Sequence, residues 1–158
     1  MRRFEKISFE QFKKDITDNI ELYNNYELPK RGTKASAGYD IASLTEYNLT
    51  PGDSVVIKTG IKVILPDDEM LMLANRSSYG YKYNVRLVNG VGIIDADYYG
   101  NELNEGHISV KLYNHGTEDL KINIGDRVAQ GIFYKYLTTD NEEKIETKRE
   151  GGIGSTGK

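Results

Sequence analysis

The sequence predicts an all-β domain, a sandwich or barrel of short strands, on three observations. From Ala35 onward, short apolar runs alternate with turn formers at Pro51-Gly52, Thr59-Gly60, Pro66-Asp67 and Gly125-Asp126. Only one segment carries a clear helical period. No composition shift and no repeat of roughly 20–50 residues divides the 158 residues, which suffice for one core of useful size.

Taken in order, the helix spans 8–20, with Phe9, Phe12, Ile16 and Ile20 on one stripe and a Ser8/Gln11 capping box in front. It is expected to dock on the domain or on another subunit. Pro29 and Gly32 mark a loop into the main fold. Strands are predicted over 39–43, 54–58, 61–65, 70–75, 85–88, 91–94, 107–114, 119–122 and 130–137. Tyr79, Tyr81 and Tyr83 fit a strand or one helical turn equally. Asn89-Gly90, between two apolar runs, predicts the tight turn of a β-hairpin. The end of the chain, from Lys148, is too polar and Gly-rich to pack alone, and is expected to be flexible unless something binds it.

Bulk properties narrow the function classes. A net charge of −3 argues against nucleic acid as the main partner, since phosphate-backbone binders carry a basic face. With no cysteine, neither a disulfide framework nor a thiolate metal site is available. His107 and His115 lack ligand-like spacing and read as ordinary surface histidines. The N-terminus has no apolar signal core and no run approaches the ~18 apolar residues of a membrane span, so no membrane contact and a cytoplasmic location are expected.

The chemistry begins where the second hairpin run breaks into charge. Asp95 and Asp97 stand two apart, so strand alternation points both carboxylates to one face. An unpaired buried carboxylate is very costly, and that face therefore meets solvent, a metal or a polar substrate. Arg76-Ser77-Ser78 offers a guanidinium and two hydroxyls to phosphate oxygens. Asp40 follows a glycine at a strand start, Gln130 follows the Gly125 turn, and the glycines of the tail free backbone amides to wrap an anion. Together these pieces suggest a phosphate ester with a divalent ion. Magnesium suits the set because it keeps its waters and takes other ligands from substrate phosphates.

In their order, five segments resemble the five motifs of the trimeric dUTP pyrophosphatases (dUTPases). They are Ala37-Gly38-Tyr39-Asp40-Ile41, Arg76-Ser77-Ser78, the stretch from Asn89 to Tyr98, Gly125 to Gln130, and Gly151 to Gly157. The match covers roughly residues 28–158. It implies a distorted jelly-roll or β-clip fold and a homotrimer with shared active sites. It also implies one domain made of a helical extension (1–27), a β core (28–146) and a substrate-closing arm (147–158).

Carried over residue by residue, Asp95 matches the general base whose water attacks the α-phosphorus of dUTP, giving dUMP and pyrophosphate. This limits uracil in DNA and supplies dUMP for dTTP synthesis. Asn89 and the backbone of Gly92, Ile93 and Ile94 match the uracil turn, and Tyr98 the ring on deoxyribose. Arg76, Ser77, Ser78 and Gln130 match phosphate contacts, as do Lys148, Arg149, Gly152, Gly154, Ser155 and Thr156 of the arm. Asp40 matches a carboxylate holding magnesium-bound waters, and Asp97 a supporting group.

Three features depart from the family pattern. Ile153 stands where an aromatic usually covers uracil, so the lid should be apolar without stacking. Lys148 falls where an arginine usually opens the arm, with Arg149 beside it, leaving the γ-phosphate contact to either. Gly100-Asn-Glu-Leu-Asn-Glu-Gly106 is an insertion, expected to be a longer surface hairpin or, as in some phage relatives, a contact for a regulatory protein. Two rival readings compete. A dCTP deaminase would need a catalytic glutamate where Asp97-Tyr98-Tyr99 stands, and a purely regulatory nucleotide switch would use the insertion alone.

Overall fold

In the computed structural model, which describes residues 1–147 and 149–154, every strand pairing is antiparallel. The N-terminal part contributes β1 (Arg3–Lys6), α1 (Phe9–Asp15) and α2 (Ile20–Asn25). Then follow β2 (Lys30–Arg31), β3 (Tyr39–Ala42), β4 (Tyr47–Leu49), β5 (Ser54–Lys58), β6 (Ile61–Ile64) and β7 (Glu69–Ala74). After α3 (Ser77–Tyr83) come β8 (Val85–Leu87), β9 (Gly92–Ile94), β10 (Ser109–Asn114), β11 (Leu120–Ile122) and β12 (Arg127–Lys135). A five-stranded sheet runs β2-β3-β12-β7-β9 and a three-stranded one β5-β10-β8, with the pairs β1-β6 and β11-β4 beside them.

Alternation explains which faces close on the core. Along β7, Leu71 and Leu73 are buried between half-exposed Met70, Met72 and Ala74. Along β10, Val110 and Leu112 do the same from the smaller sheet, and one cluster joins them to Ile41, Ile57 and Val128. Asn114 follows them inward at 0% exposure. An unpaired buried amide there would cost about 1–3 kcal/mol. Its nitrogen donates to the Leu49 and Glu118 carbonyls and its oxygen accepts from the Gly116 amide, all at 2.8 Å.

The expected hairpin is a turn without a ladder. Asn89-Gly90 does reverse the chain, with Gly90 at φ 72°, a conformation that suits glycine. However, β8 leaves the turn to pair with β10, while β9 pairs with β7. The two apolar runs that flank the turn are therefore edge strands of different sheets, and a slot opens between them.

The single helix expected over 8–20 is two. The side chain of Ser8 accepts from the Gln11 amide at 3.1 Å as the capping box requires, but Gln11 turns to Asp15 and the Ser8 amide to Glu105. After Ile16 the chain restarts at Asn19, whose side chain caps α2 at the Leu22 amide, and Ile20 ends up exposed. Thr17-Asp18-Asn19 is rich in side chains that compete with a helical backbone, which accounts for the break. Seven residues of helix would be marginal alone. Docking supplies the stability, because fully buried Phe12 stacks on Tyr26 with centroids 5.7 Å apart, worth about 1.5–3 kcal/mol of apolar burial. The ambiguous tyrosines lie on α3, with Tyr79 buried and Tyr81 exposed.

His107 corrects a third expectation. His115 is exposed as predicted, but His107 is 1% exposed and links three elements. Its Nε2 accepts from the Gly60 amide at 2.9 Å, and its Nδ1 lies 2.6 Å from Asp15 at the end of α1. Only the neutral ring protonated at Nδ1 satisfies both. Burial pushes His107 below the ordinary histidine value of 6.5, against the opposing pull of Asp15. Because the folded-state value lies below the unfolded one, this contribution to stability is complete above pH 6.5 and is lost as pH falls from there through the folded-state value. Unfolding free energy, measured by denaturant titration between about pH 7.5 and 5, should therefore fall with pH. It should fall less steeply in His107→Gln, which keeps an acceptor and a donor but does not titrate.

Candidate active site

β9 ends at Ile94, and Asp95 after it takes the first position of a short 3₁₀ turn, Ala96–Tyr98, so the regular alternation expected of Asp95 and Asp97 does not continue. The turn nevertheless keeps both carboxylates within reach of one guanidinium. Arg149 donates from Nε to Asp97 at 2.7 Å and from Nη2 to Asp95. The arginine side chain is 15% exposed, while Asp95 and Asp97 are 49% and 57% exposed. A pair this open to water is screened and exchanges its partners readily. Through Arg149, the described part of the arm, residues 149–154, is joined to the Asp95 end of the same chain.

Two cavities meet at this point. One, of about 230 Å³, is lined by Asp95, Tyr98, Ser109, Arg149, Gly152 and Gly154 together with Ile93, Ile94 and Ile153. The other, of about 320 Å³, is the slot between β8 and β9, lined by Leu87, Val88, Asn89, Gly92, Ile93 and Ile94 and again by Ile153. Ile153, expected as an apolar lid, is fully exposed at their shared mouth. Gly152 lies against the Tyr98 ring. Uracil-side residues predicted from sequence are therefore gathered in one place.

The phosphate-side residues form a second group. Asp40 on β3 is in register with Gln130 on β12, which is in register with Ala74 on β7. Gln130 donates to the Asn75 carbonyl at 3.0 Å. A side chain on Gly38 would lie 2.1 Å from the Gln130 amide oxygen, so only glycine leaves it room. Arg76 donates to the Arg127 carbonyl at 2.8 Å, and Arg127 pairs with Asp40 at 3.1 Å. Ser77 and Ser78 open α3. Arg127 was missed in the sequence because its motif drew attention only to Gln130. Of this group, Arg76 and Ser77 line a cavity separate from that of Asp95 and Tyr98. Lys148, Ser155 and Thr156 lie outside the described residues.

Among the described residues no cluster of three or more His, Cys, Asp or Glu is poised to hold a metal. The donor set near Asp40 is one carboxylate beside an amide, which fits a magnesium ion held through its waters and substrate phosphates better than a protein cage. In the inserted loop Asn101 and Gly106 are buried and Asn104 and Glu105 half-buried, while Gly100 and the apex, Glu102 and Leu103, are exposed. No helix among the described residues is long and apolar enough to cross a membrane.

A carboxylate at the end of an apolar slot, with a separate basic cluster on antiparallel sheets, defines a class: β-built enzymes acting on phosphorylated small molecules. The dUTPase family model matches residues 24–157, and the chain belongs to the dUTPase family. The deoxyuridine 5'-triphosphate nucleotidohydrolase of Lactococcus lactis is 43% identical over 141 residues, covering 87% of this chain and 94% of that one. The crystal structure of dUTPase from Streptococcus mutans superposes with a TM-score of 0.72 at 37% identity, covering 87% of this chain and 98% of that one. A dUTPase from phage phi11 of S. aureus, described as coordinating a structural Mg(II) ion, shares the fold at a TM-score of 0.67 and 21% identity, covering 93% and 97% of the two chains. The jelly-roll or β-clip expectation holds.

If Arg149 is what seats the arm, Arg149→Ala should speed amide hydrogen exchange over residues 149–154 by about fivefold, the worth of an exposed ion pair. Exchange no faster than in the wild type would mean that the arm is held by other contacts.

Proposed function

We propose that the chain hydrolyses dUTP to dUMP and pyrophosphate, with Asp95 as the base that takes a proton from the attacking water. The observation that carries this reading is the position of Asp95, half-exposed at the end of β9, in a cavity also lined by Tyr98 and by Ile93 and Ile94 of the slot. The general base is thereby set beside the face on which a nucleoside would lie. Water attacks the α-phosphorus, the proton passes to the Asp95 carboxylate, and pyrophosphate leaves. Arg149 neutralises the two carboxylates before substrate arrives, and its donors are proposed to turn to the phosphates once a triphosphate competes for them.

The slot supports the choice of base. β8 and β9 are edge strands with one backbone side free of a neighbouring strand, and their donors and acceptors can pair with uracil as another strand would. Cytosine reverses the pattern at position 4 and would leave buried groups unpaired. Thymine adds a methyl to a narrow slot. Asn89 is assigned to the base edge, and Tyr98 to the deoxyribose. Asp40 would hold the waters of a magnesium ion that neutralises phosphate charge when bound. Arg76, Ser77, Ser78 and Gln130 are assigned to the phosphates.

Because Arg76 and Ser77 line a cavity apart from the base-side ones, and Asp40 and Gln130 line neither of the base-side cavities, a complete site is proposed to form between copies in a homotrimer, with the arm reaching across. Reaction in the cytoplasm, on the free nucleotide pool, is part of the same proposal. A regulatory protein contact would fall on the Glu102–Leu103 apex.

Pyrophosphate release should be far faster from dUTP than from dTTP, dCTP or UTP. Asp95→Asn should bind nucleotide yet lose at least about 100-fold in turnover. Ammonia release from dCTP would instead point to the deaminase. Mixing Asp95→Asn chains with chains truncated before Lys148 should recover part of the wild-type rate if the arm works on a neighbouring copy, and none if it works on its own.

A further inference from the structure

The ring of Tyr98 is held at its tip by the inserted segment. Asn104 donates from Nδ2 to the Tyr98 hydroxyl at 2.8 Å, and that hydroxyl donates to the His107 carbonyl at 3.0 Å. Both hydrogen-bonding capacities at the end of the ring are thus directed, and the phenol is clamped. The clamp is itself braced. Asn101 donates to the Tyr98 carbonyl and to the Asn104 side-chain oxygen, each at 2.8 Å, and the same oxygen accepts from the Gly106 amide at 3.0 Å.

The far side of the loop is fixed to the N-terminal part. Glu105 takes a left-handed backbone, φ 62°, which a residue with a side chain adopts only where its surroundings require it. Its carboxylate accepts from the Ser8 amide and from Lys62, both at 3.0 Å. The segment is therefore an internal brace between the start of α1 and the Tyr98 ring.

We infer that Asn104 is a positioning residue for sugar discrimination, which holds the Tyr98 ring as a rigid wall against a 2′-hydroxyl. The inference rests on the dUTPase reading, in which Tyr98 lies against deoxyribose. A pocket wall that gives way rejects an added hydroxyl poorly, and a shift of about 1 Å admits it. The steric exclusion of ribose therefore needs the hydroxyl of Tyr98 to be tied down, and within this chain the inserted loop supplies the side chain that does so.

The test is kcat/KM for dUTP and for UTP in four proteins: wild type, Asn104→Ala, Tyr98→Phe and the double variant. Tyr98→Phe keeps the ring and the loop but removes the atom on which Asn104 acts, so it serves even where Asn104→Ala folds poorly. Asn104→Ala should lose about fivefold in dUTP-over-UTP preference, the worth of one net hydrogen bond, Tyr98→Phe, which also gives up the bond to the His107 carbonyl, at least as much, and the double variant no more than Tyr98→Phe. Full preference in Tyr98→Phe, or losses that multiply in the double variant, would overturn the inference. A wild-type chain that did not prefer dUTP over UTP would instead remove the functional reading beneath it.

Discussion

Two carboxylates at the end of an apolar strand cannot be left dry and unpaired, and much of the active end of this molecule answers to that constraint. β9 delivers Asp95 out of a run of Gly92, Ile93 and Ile94, and a 3₁₀ turn brings Asp97 alongside it. Arg149 satisfies both. Since the carboxylates are half open to water, this pairing is weak enough to be broken by a competing anion, as the proposed mechanism requires. A fully buried pair would have locked the site shut.

The slot beside Asp95 depends on a choice of strand partners. Had β8 and β9 paired with each other, their backbone groups would be spent on a hairpin. By joining different sheets, they leave free edges where a planar base can pair. The N-terminal part, which the family resemblance does not cover, closes the other side: Asp15 anchors His107, and the His107 carbonyl takes the Tyr98 hydroxyl. A buried histidine far along the chain thus connects the first helix to the proposed sugar wall.

How much of this could be read beforehand follows from what sequence patterns encode. Period-two alternation located the strands around Leu71, Leu73, Val110 and Leu112, because the pattern is written locally in the chain, but the short strands β1, β2 and β4 were not predicted. The partner of a strand is not local, so Asn89-Gly90 announced its turn but not the divergence of the runs around it. The residues that the ordered motifs mark as base-side line one pair of cavities, yet the motifs could not foresee that Arg149 would rest on Asp95 and Asp97. His107 carried no signal, since its burial depends on Gly60 and Asp15, distant in sequence. Asn101 and Asn104 lie in a segment that reads only as a surface hairpin or a protein contact, and Arg127 shares a motif in which Gln130 alone was assigned a role.

The central claim is that Asp95 holds the water that attacks the first phosphorus. A crystal structure with the α,β-imido analogue of dUTP and magnesium tests it most directly. The account predicts an ordered water bridging the Asp95 carboxylate and the α-phosphorus in line with the leaving group, with Arg149 turned towards the phosphates. An α-phosphorus remote from Asp95, with Arg149 still closed on both carboxylates, would contradict it.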